Sequence, residues 1–439
     1  MPRPSFRRGF NIGLAIVAFF SLAMVSPFAW VRWSLSRAEN GVPADLKDAL
    51  APAPGEESLV LVLALEGVPY ELMQELHTEG TLKSFKNPGR LVGPFPPKTA
   101  LALSKMFQTG ELAPEPEKYD YIVPPGFSRA DFKDLKDRLF LHPGNRFSAY
   151  KRFATEPSGV EAKKALQDFL THFETFVQEA RQELPGSLKI ILMSGGGSPD
   201  PAQRVDLAGT LTLAGYRNTA APLLVPQALP SSLSTAKGAD APAGSEDFTI
   251  DPGGASGSVA LRTDAQNAKF MCLLLRRLEG VDFCVYRQGG RLHILSSGGA
   301  AWVERSGERY RYAARKGDPL RLGPVVSAMR LGQELDQEDF AGDADWWKNT
   351  KNHFYPDPLH RLWSALPPVG GHSPTLWVSL KDGFESGASG DGQIGGDLSR
   401  IRSYGFFMTD FADSPDYLRP EKAGEILEGP RPNFNPAWN

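Results

Sequence analysis

The apolar positions of this chain fall into runs of two kinds. Ser58–Leu65 (SLVLVLAL) is apolar with no alternation, the pattern of a parallel strand covered on both faces. Leu188–Met193 reads as a strand too, and it follows directly on a helical pattern. Val160–Leu184 places Leu166, Phe169, Leu170, Phe173, Phe176, Val177 and Ala180 at helical spacing. Lys163, Lys164, Asp168 and Glu179 lie on the other side, and Pro185-Gly186 ends the run. A long helix feeding a strand is half of a βαβ unit. Leu101–Phe107 reads as a short helix capped by Thr99, and Asn267–Leu278 as another. Strands are predicted at Phe283–Arg287, Arg291–Ser296, Ala301–Arg305, Arg309–Ala313, Thr375–Leu380 and Gly405–Thr409. This alternation predicts an α/β fold over 58–428: a mostly parallel sheet with helices on both faces, plus a small hairpin or cap subdomain at about 259–330.

Three stretches break the pattern. Ile12–Val31 carries no charge, and twenty residues span roughly 30 Å as a helix, one hydrocarbon core. Arg3, Arg7 and Arg8 precede it; Trp30 and Trp33 stand at an interfacial position, followed by Arg32 and Arg37. The expectation is a single-pass anchor over 1–35, with the bulk of the chain extracytoplasmic, periplasmic in a Gram-negative cell. A cleaved signal peptide, with a site at Ala23 or Ala29, is the competing reading. Residues 36–57 are an Ala/Pro-rich tether, 227–258 a mobile insertion rich in Ala, Ser, Gly and Pro, and 429–439 an extended tail.

Composition narrows the function classes. With 48 basic against 51 acidic residues the net charge is -3, which excludes a generally basic nucleic-acid binder. Two cysteines, Cys272 and Cys284, rule out a disulfide framework and a Cys-rich metal site. They are two packed thiols or one disulfide.

The candidate chemistry sits where the first strand ends. Glu66-Gly67 follows Ser58–Leu65, and about thirty residues on Lys98-Thr99 opens a helix. A carboxylate at a strand end beside a hydroxyl at a helix N-terminus is where metal and phosphate meet in phosphoryl transfer. This stretch resembles the opening of the alkaline phosphatase superfamily, in its type I phosphodiesterase/nucleotide pyrophosphatase branch. The segment 280–322 with its closing Gly317-Asp318-Pro319-Leu320, the run Tyr355-Pro356-Asp357-Pro358-Leu359 with Leu362-Trp363, and Thr375–Leu380 are similar to later parts of that branch. The resemblance implies a two-zinc hydrolase with Thr99 as nucleophile and Glu66 in place of the first aspartate ligand.

The other ligands that the resemblance implies are missing. Near Thr155–Val160 the only acid is Glu156; Ser194-Gly195-Gly196-Gly197 has glycine where Asp and His belong; and Ile394 stands near the last expected His. The seven histidines, His77, His142, His172, His293, His353, His360 and His372, are scattered surface or satisfied residues. The expectation is therefore no cofactor, and a degenerate, non-catalytic relative working as a binding or structural subunit with a protein partner in the envelope. An active phosphodiesterase or phosphatase with relocated zinc ligands is the alternative, and a sensor that kept the phosphate crevice is a third. Each surviving residue also has a plain structural role: Thr99 as a helix cap, Glu66 as an acceptor of backbone amides or a partner of Lys98, Gly195 and Gly196 as a tight turn. As a crevice, Glu66, Lys98, Thr99, Gly195 and Gly196 would bind an anionic group. Asp382, Asp391 and Asp397 lie in a Gly/Ser-rich loop, either solvated or a different cation site.

Overall fold

A computed structural model describes residues 58–107, 138–142, 146–152, 160–183, 187–197, 203–219, 247–250, 257–367, 374–386 and 396–423. The expected anchor at Ile12–Val31, the tether, the tail, most of the 227–258 insertion, Glu156, His372, Asp391 and Ile394 lie outside these residues. Among the described residues no helix is long and apolar enough to cross a membrane.

The chain forms a mixed α/β fold on two large sheets. The first runs in the order Tyr417–Leu418, Gly89–Val92, Tyr404–Thr409, Ser187–Met193, Ser58–Glu66, Arg146–Arg152, Arg138–His142. Ser58–Glu66 pairs in parallel with both neighbours. Its unbroken apolar run is explained by cover on each side. Leu63 and Leu65 pack with Leu166, Leu170 and Phe173 of the Val160–Glu183 helix. Val62 and Ala64 face the opposite layer, with Ala102, Leu103 and Met106 of the Thr99–Phe107 helix. The sheet is mixed rather than mostly parallel, because Tyr404–Thr409 runs antiparallel between Ser187–Met193 and Gly89–Val92, and Arg138–His142 antiparallel to Arg146–Arg152.

The expected small cap is instead a nine-stranded sheet. Its order is Ala341–Gly342, Arg309–Lys316, Ala300–Ser306, Arg291–Ser296, Val281–Gln288, Leu376–Leu380, Ser258–Thr263, Asp247–Ile250, Arg217–Asn218. All pairings are antiparallel except the last. Gly289 and Gly290, at φ 58° and 74°, make the two-residue turn that only such a backbone allows between twisted strands. The sheet is large because three hairpin strands bury one face each: Leu292 and Ile294, Ala301 and Val303, Tyr310 and Tyr312. That face needs a layer over it, and helices Gly323–Leu331, Asp343–Thr350 and Pro358–Ala365 supply Met329, Trp346, Leu359 and Leu362. Asp247–Ile250, read from sequence as part of a mobile insertion, is a strand of this sheet with Phe248 in its core. On the other face helix Ala265–Leu275 packs over Val281–Gln288 and Leu376–Leu380. Cys272 and Cys284 meet there as two buried free thiols. Burial, then the contact with Cys284, pushes the Cys272 thiol well above its ordinary range.

Candidate functional site

The first sheet brings the sequence-predicted residues together at the C-terminal end of its central strands. Glu66 ends its strand in a buried position, and Gly67 next to it bridges Gly197. Thr99 is the first residue of its helix and is buried, with Lys98 half-buried before it. The approach loop is fixed by the second sheet and the helices that cover it. Phe95 packs edge-on against Trp377 at 5.4 Å, and Arg361 donates to the Pro94 carbonyl at 3.0 Å.

The crevice that the sequence predicts is closed. The Gly195 N–H donates to the Thr99 hydroxyl at 3.1 Å, so this oxygen ties the helix to the glycine run. Gly197 N–H donates to the Arg402 carbonyl at 3.1 Å, and Gly196 N–H to the Ser194 hydroxyl at 3.4 Å. All three amides therefore have acceptors within the protein. The Gly195 and Gly196 amides, expected from sequence either in a tight turn or as an anion nest, point to acceptors of the protein itself.

The glycines are there for contact. A Cβ on Gly195 would lie 2.7 Å from Thr99 Cα, one on Gly93 1.9 Å from the Gly195 carbonyl oxygen, and one on Gly405 1.7 Å from that of Ser194. The backbones of three segments touch where a catalytic cavity would stand. Asp382 and Asp397 both lie in the field of Arg402. Asp382 pairs with Arg402 at 2.6 Å, while Asp397 accepts the Ser399 N–H at 2.7 Å and is pushed up to about 6 by burial.

Zinc, which the resemblance implies, does not fit the described residues. Among the matching positions that are described, only Glu66 offers a carboxylate or imidazole. Among the described residues no three of His, Cys, Asp and Glu are placed to hold a metal ion. Structural zinc sites take four protein ligands and catalytic sites three.

A cluster of charges that sequence reasoning passed over lies between the lobes. Asp343 opens one helix of the second lobe, and Asp357 and His360 belong to the next. Arg419 and Glu421 follow the last strand of the first sheet, and Lys105 comes from the Thr99–Phe107 helix. Arg419 donates to both oxygens of Asp357, at 2.7 and 2.8 Å, and to both of Asp343. His360 Nδ1 lies 3.2 Å from Asp343, and Lys105 donates to Glu421 at 2.7 Å. His360 Nε2 is 3.8 Å from Glu421, too long for a direct hydrogen bond. The adjoining cavity, lined by both, is about 10 Å³, room for about one water molecule.

Three carboxylates against Arg419 and Lys105 leave one negative charge, which a protonated His360 cancels. Burial pulls its pKa down, but the hydrogen bond to Asp343, the nearby Glu421 carboxylate and the field of Asp357 outweigh this and raise it to about 9. Burial likewise opposes ionisation of Asp343 and Glu421, and the cations facing them win, holding both well below the carboxylate range.

The sign of the pH effect follows. The folded pKa of His360 lies above its unfolded value of 6.5. Its contribution, on the order of 3 kcal/mol, is full below about pH 6.5 and is lost as pH rises through about 9. The melting-temperature gap between wild type and His360→Gln is expected to be flat at acid pH and to close by about pH 9. A gap constant to pH 10 would contradict this assignment. The one sequence signal for the cluster was Tyr355-Pro356-Asp357-Pro358-Leu359. Asp357 there takes a left-handed backbone (φ 49°) to reach Arg419, and Tyr355 donates to Asp282 at 2.7 Å.

No protein-family description matches the chain, and no curated protein matches it. Among solved structures, human ectonucleotide pyrophosphatase/phosphodiesterase 5 is similar over 84% of this chain and 93% of that one, at 8% identity and a TM-score of 0.38. Phosphonoacetate hydrolase from Sinorhizobium meliloti, in complex with phosphonoformate, is similar over 84% and 95%, at 9% identity and 0.37. Such scores assign no activity, and the mixed α/β layering stands on the strand pairings alone.

Proposed function

We propose that this chain is a membrane-tethered, extracytoplasmic protein with an alkaline phosphatase-like plan, acting as a non-catalytic binding or structural subunit of an envelope complex. One observation carries the reading: the Thr99 hydroxyl and the amides of Gly195, Gly196 and Gly197 are engaged with each other and with their neighbours. A hydroxyl that acts as nucleophile needs a base or a metal beside it and room for the phosphorus. Here the contact beside it is the N–H of a closely packed glycine. The tether rests on the uncharged run Ile12–Val31 and its arginine flank.

The purified full chain is expected to hold well under one zinc per chain, and to hydrolyse aryl phosphate mono- and diesters no faster than its Thr99→Ala variant. One to two metals per chain, with turnover abolished in Thr99→Ala, would establish the phosphodiesterase reading instead.

A further inference from the structure

The second sheet has an outer face that its helix covers only in part. Ala265–Leu275 lies over Val281–Gln288 and Leu376–Leu380, and the same face continues across three further strands. The registry sets its side chains in rows. Arg291, Glu304 and Arg311 stand opposite one another, then His293, Trp302 and Ala313, with Arg309 and Arg315 at either end of the last strand. Arg309 and Arg315 are exposed, and the residues between are half-buried.

This face is built and charged. The guanidinium groups of Arg291 and Arg311 lie 4.5 and 4.7 Å from the Trp302 ring centre. Glu304 binds both. The indole is thus held between two cations on a flat surface. Arg309 also pairs with Asp336 at 2.6 Å, so four arginines against two carboxylates leave this face with two positive charges, in a chain whose net charge is -3. The environment of His293 reports the same field. Burial lowers its pKa, the Gln288 backbone opposes this, and Arg291, Arg315 and Lys269 lower it further.

We propose that the outer face of Arg291–Ser296, Ala300–Ser306 and Arg309–Lys316 docks on the anionic phospholipid headgroups of the membrane that carries the chain. The proposal rests on the tethered reading above. Two features favour lipid over an acidic protein. Residues 32–57, twenty-six positions between the apolar run and the first strand, reach about 30 Å root-mean-square for a chain of flexible composition. The bilayer is then at high effective concentration at all times. A negatively charged molecule beside an anionic surface also turns a positive face toward it. Each basic residue there favours contact about fivefold, so two net charges favour it about 25-fold. Trp302 adds an amphipathic ring of the kind that settles at headgroup level.

The test uses the full chain in vesicles of phosphatidylcholine, with or without phosphatidylglycerol. Cys272 and Cys284 are buried, so Ala313→Cys supplies a thiol on the face, and Leu331→Cys, at a position 88% exposed on a helix that packs the opposite side, supplies a control. Maleimide labelling of Ala313→Cys is expected to slow about tenfold in anionic vesicles only. The slowing should vanish in the Arg291→Gln, Arg311→Gln, Arg315→Gln background, and also in the unaltered face when salt rises from about 50 to about 500 mM. Labelling of Leu331→Cys should not change.

Equal Ala313→Cys rates in the two vesicles would overturn the proposal. So would slowing by added polyglutamate in neutral vesicles that matches the lipid effect, which would mark the face as a protein dock. Alkaline carbonate extraction separates the tether. If carbonate strips the chain, the tether reading fails, and the same rates measured with vesicles added to the chain still decide the face.

Discussion

Arg419→Ala is expected to destabilise the protein by about 3–5 kcal/mol, a fall in melting temperature of about 5–10 °C. Arg419 is the only cation that touches both Asp343 and Asp357 among the described contacts, and the Asp357 side chain is 2% exposed. Removing it leaves a buried carboxylate without its counter-ion, and that desolvated charge is the source of the cost. The attraction lost is the smaller part, since charge pairs replaced whole by apolar groups are often neutral in stability. Arg419→Met combined with Asp343→Asn and Asp357→Asn should therefore recover much of the loss. Thermal or urea unfolding of both variants checks this. Arg419→Ala melting within 2 °C of wild type would show that the lobes are not held by this cluster.

Gly195→Ala and Gly405→Ala are expected to cost about 3 kcal/mol or more each, at or beyond the upper range for overpacking. The atoms that a new methyl would meet are backbone: Thr99 Cα and N for the first, the Ser194 carbonyl for the second. Backbone atoms have no rotamer to change. Gly298, where a new methyl would meet nothing within 4 Å, is the control, and Gly298→Ala should fall within about 0.5 kcal/mol of wild type. The pair tests the closed junction directly. An open, ligand-sized crevice at Thr99 would accept alanine at position 195 without loss, so wild-type stability there would sink the closed reading.

Much of the fold was legible because burial writes itself into local pattern. The stripe from Leu166 to Val177 and the doubly covered Ser58–Leu65 run specified a helix and a strand, and alternation placed the hairpin strands to within a few residues. Pairing partners were not legible. Leu376–Leu380 and Tyr404–Thr409 look alike in sequence, yet one enters the antiparallel sheet and the other the first, because the choice is made by contacts with residues more than a hundred positions away. The junction was half legible: the glycine run at 195–197 and a tight turn there could be read, but not that it packs against the backbones of Thr99 and Arg402. Of the charge cluster only the run around Asp357 was legible, since Lys105, Asp343, Arg419 and Glu421 stand far from it in sequence and meet it only in the folded chain.

Both sheets are completed late. Leu376–Leu380 sits between Val281–Gln288 and Ser258–Thr263, and Tyr404–Thr409 between Ser187–Met193 and Gly89–Val92. During synthesis, each sheet must wait as two halves until the C-terminal segment leaves the ribosome. Until then the strands on either side of both gaps present unpaired edges, the kind of surface that recruits chaperones or aggregates. A stop codon anywhere before residue 376 removes the keystone of both lobes at once, so the last seventh of the chain governs whether the first six-sevenths can fold.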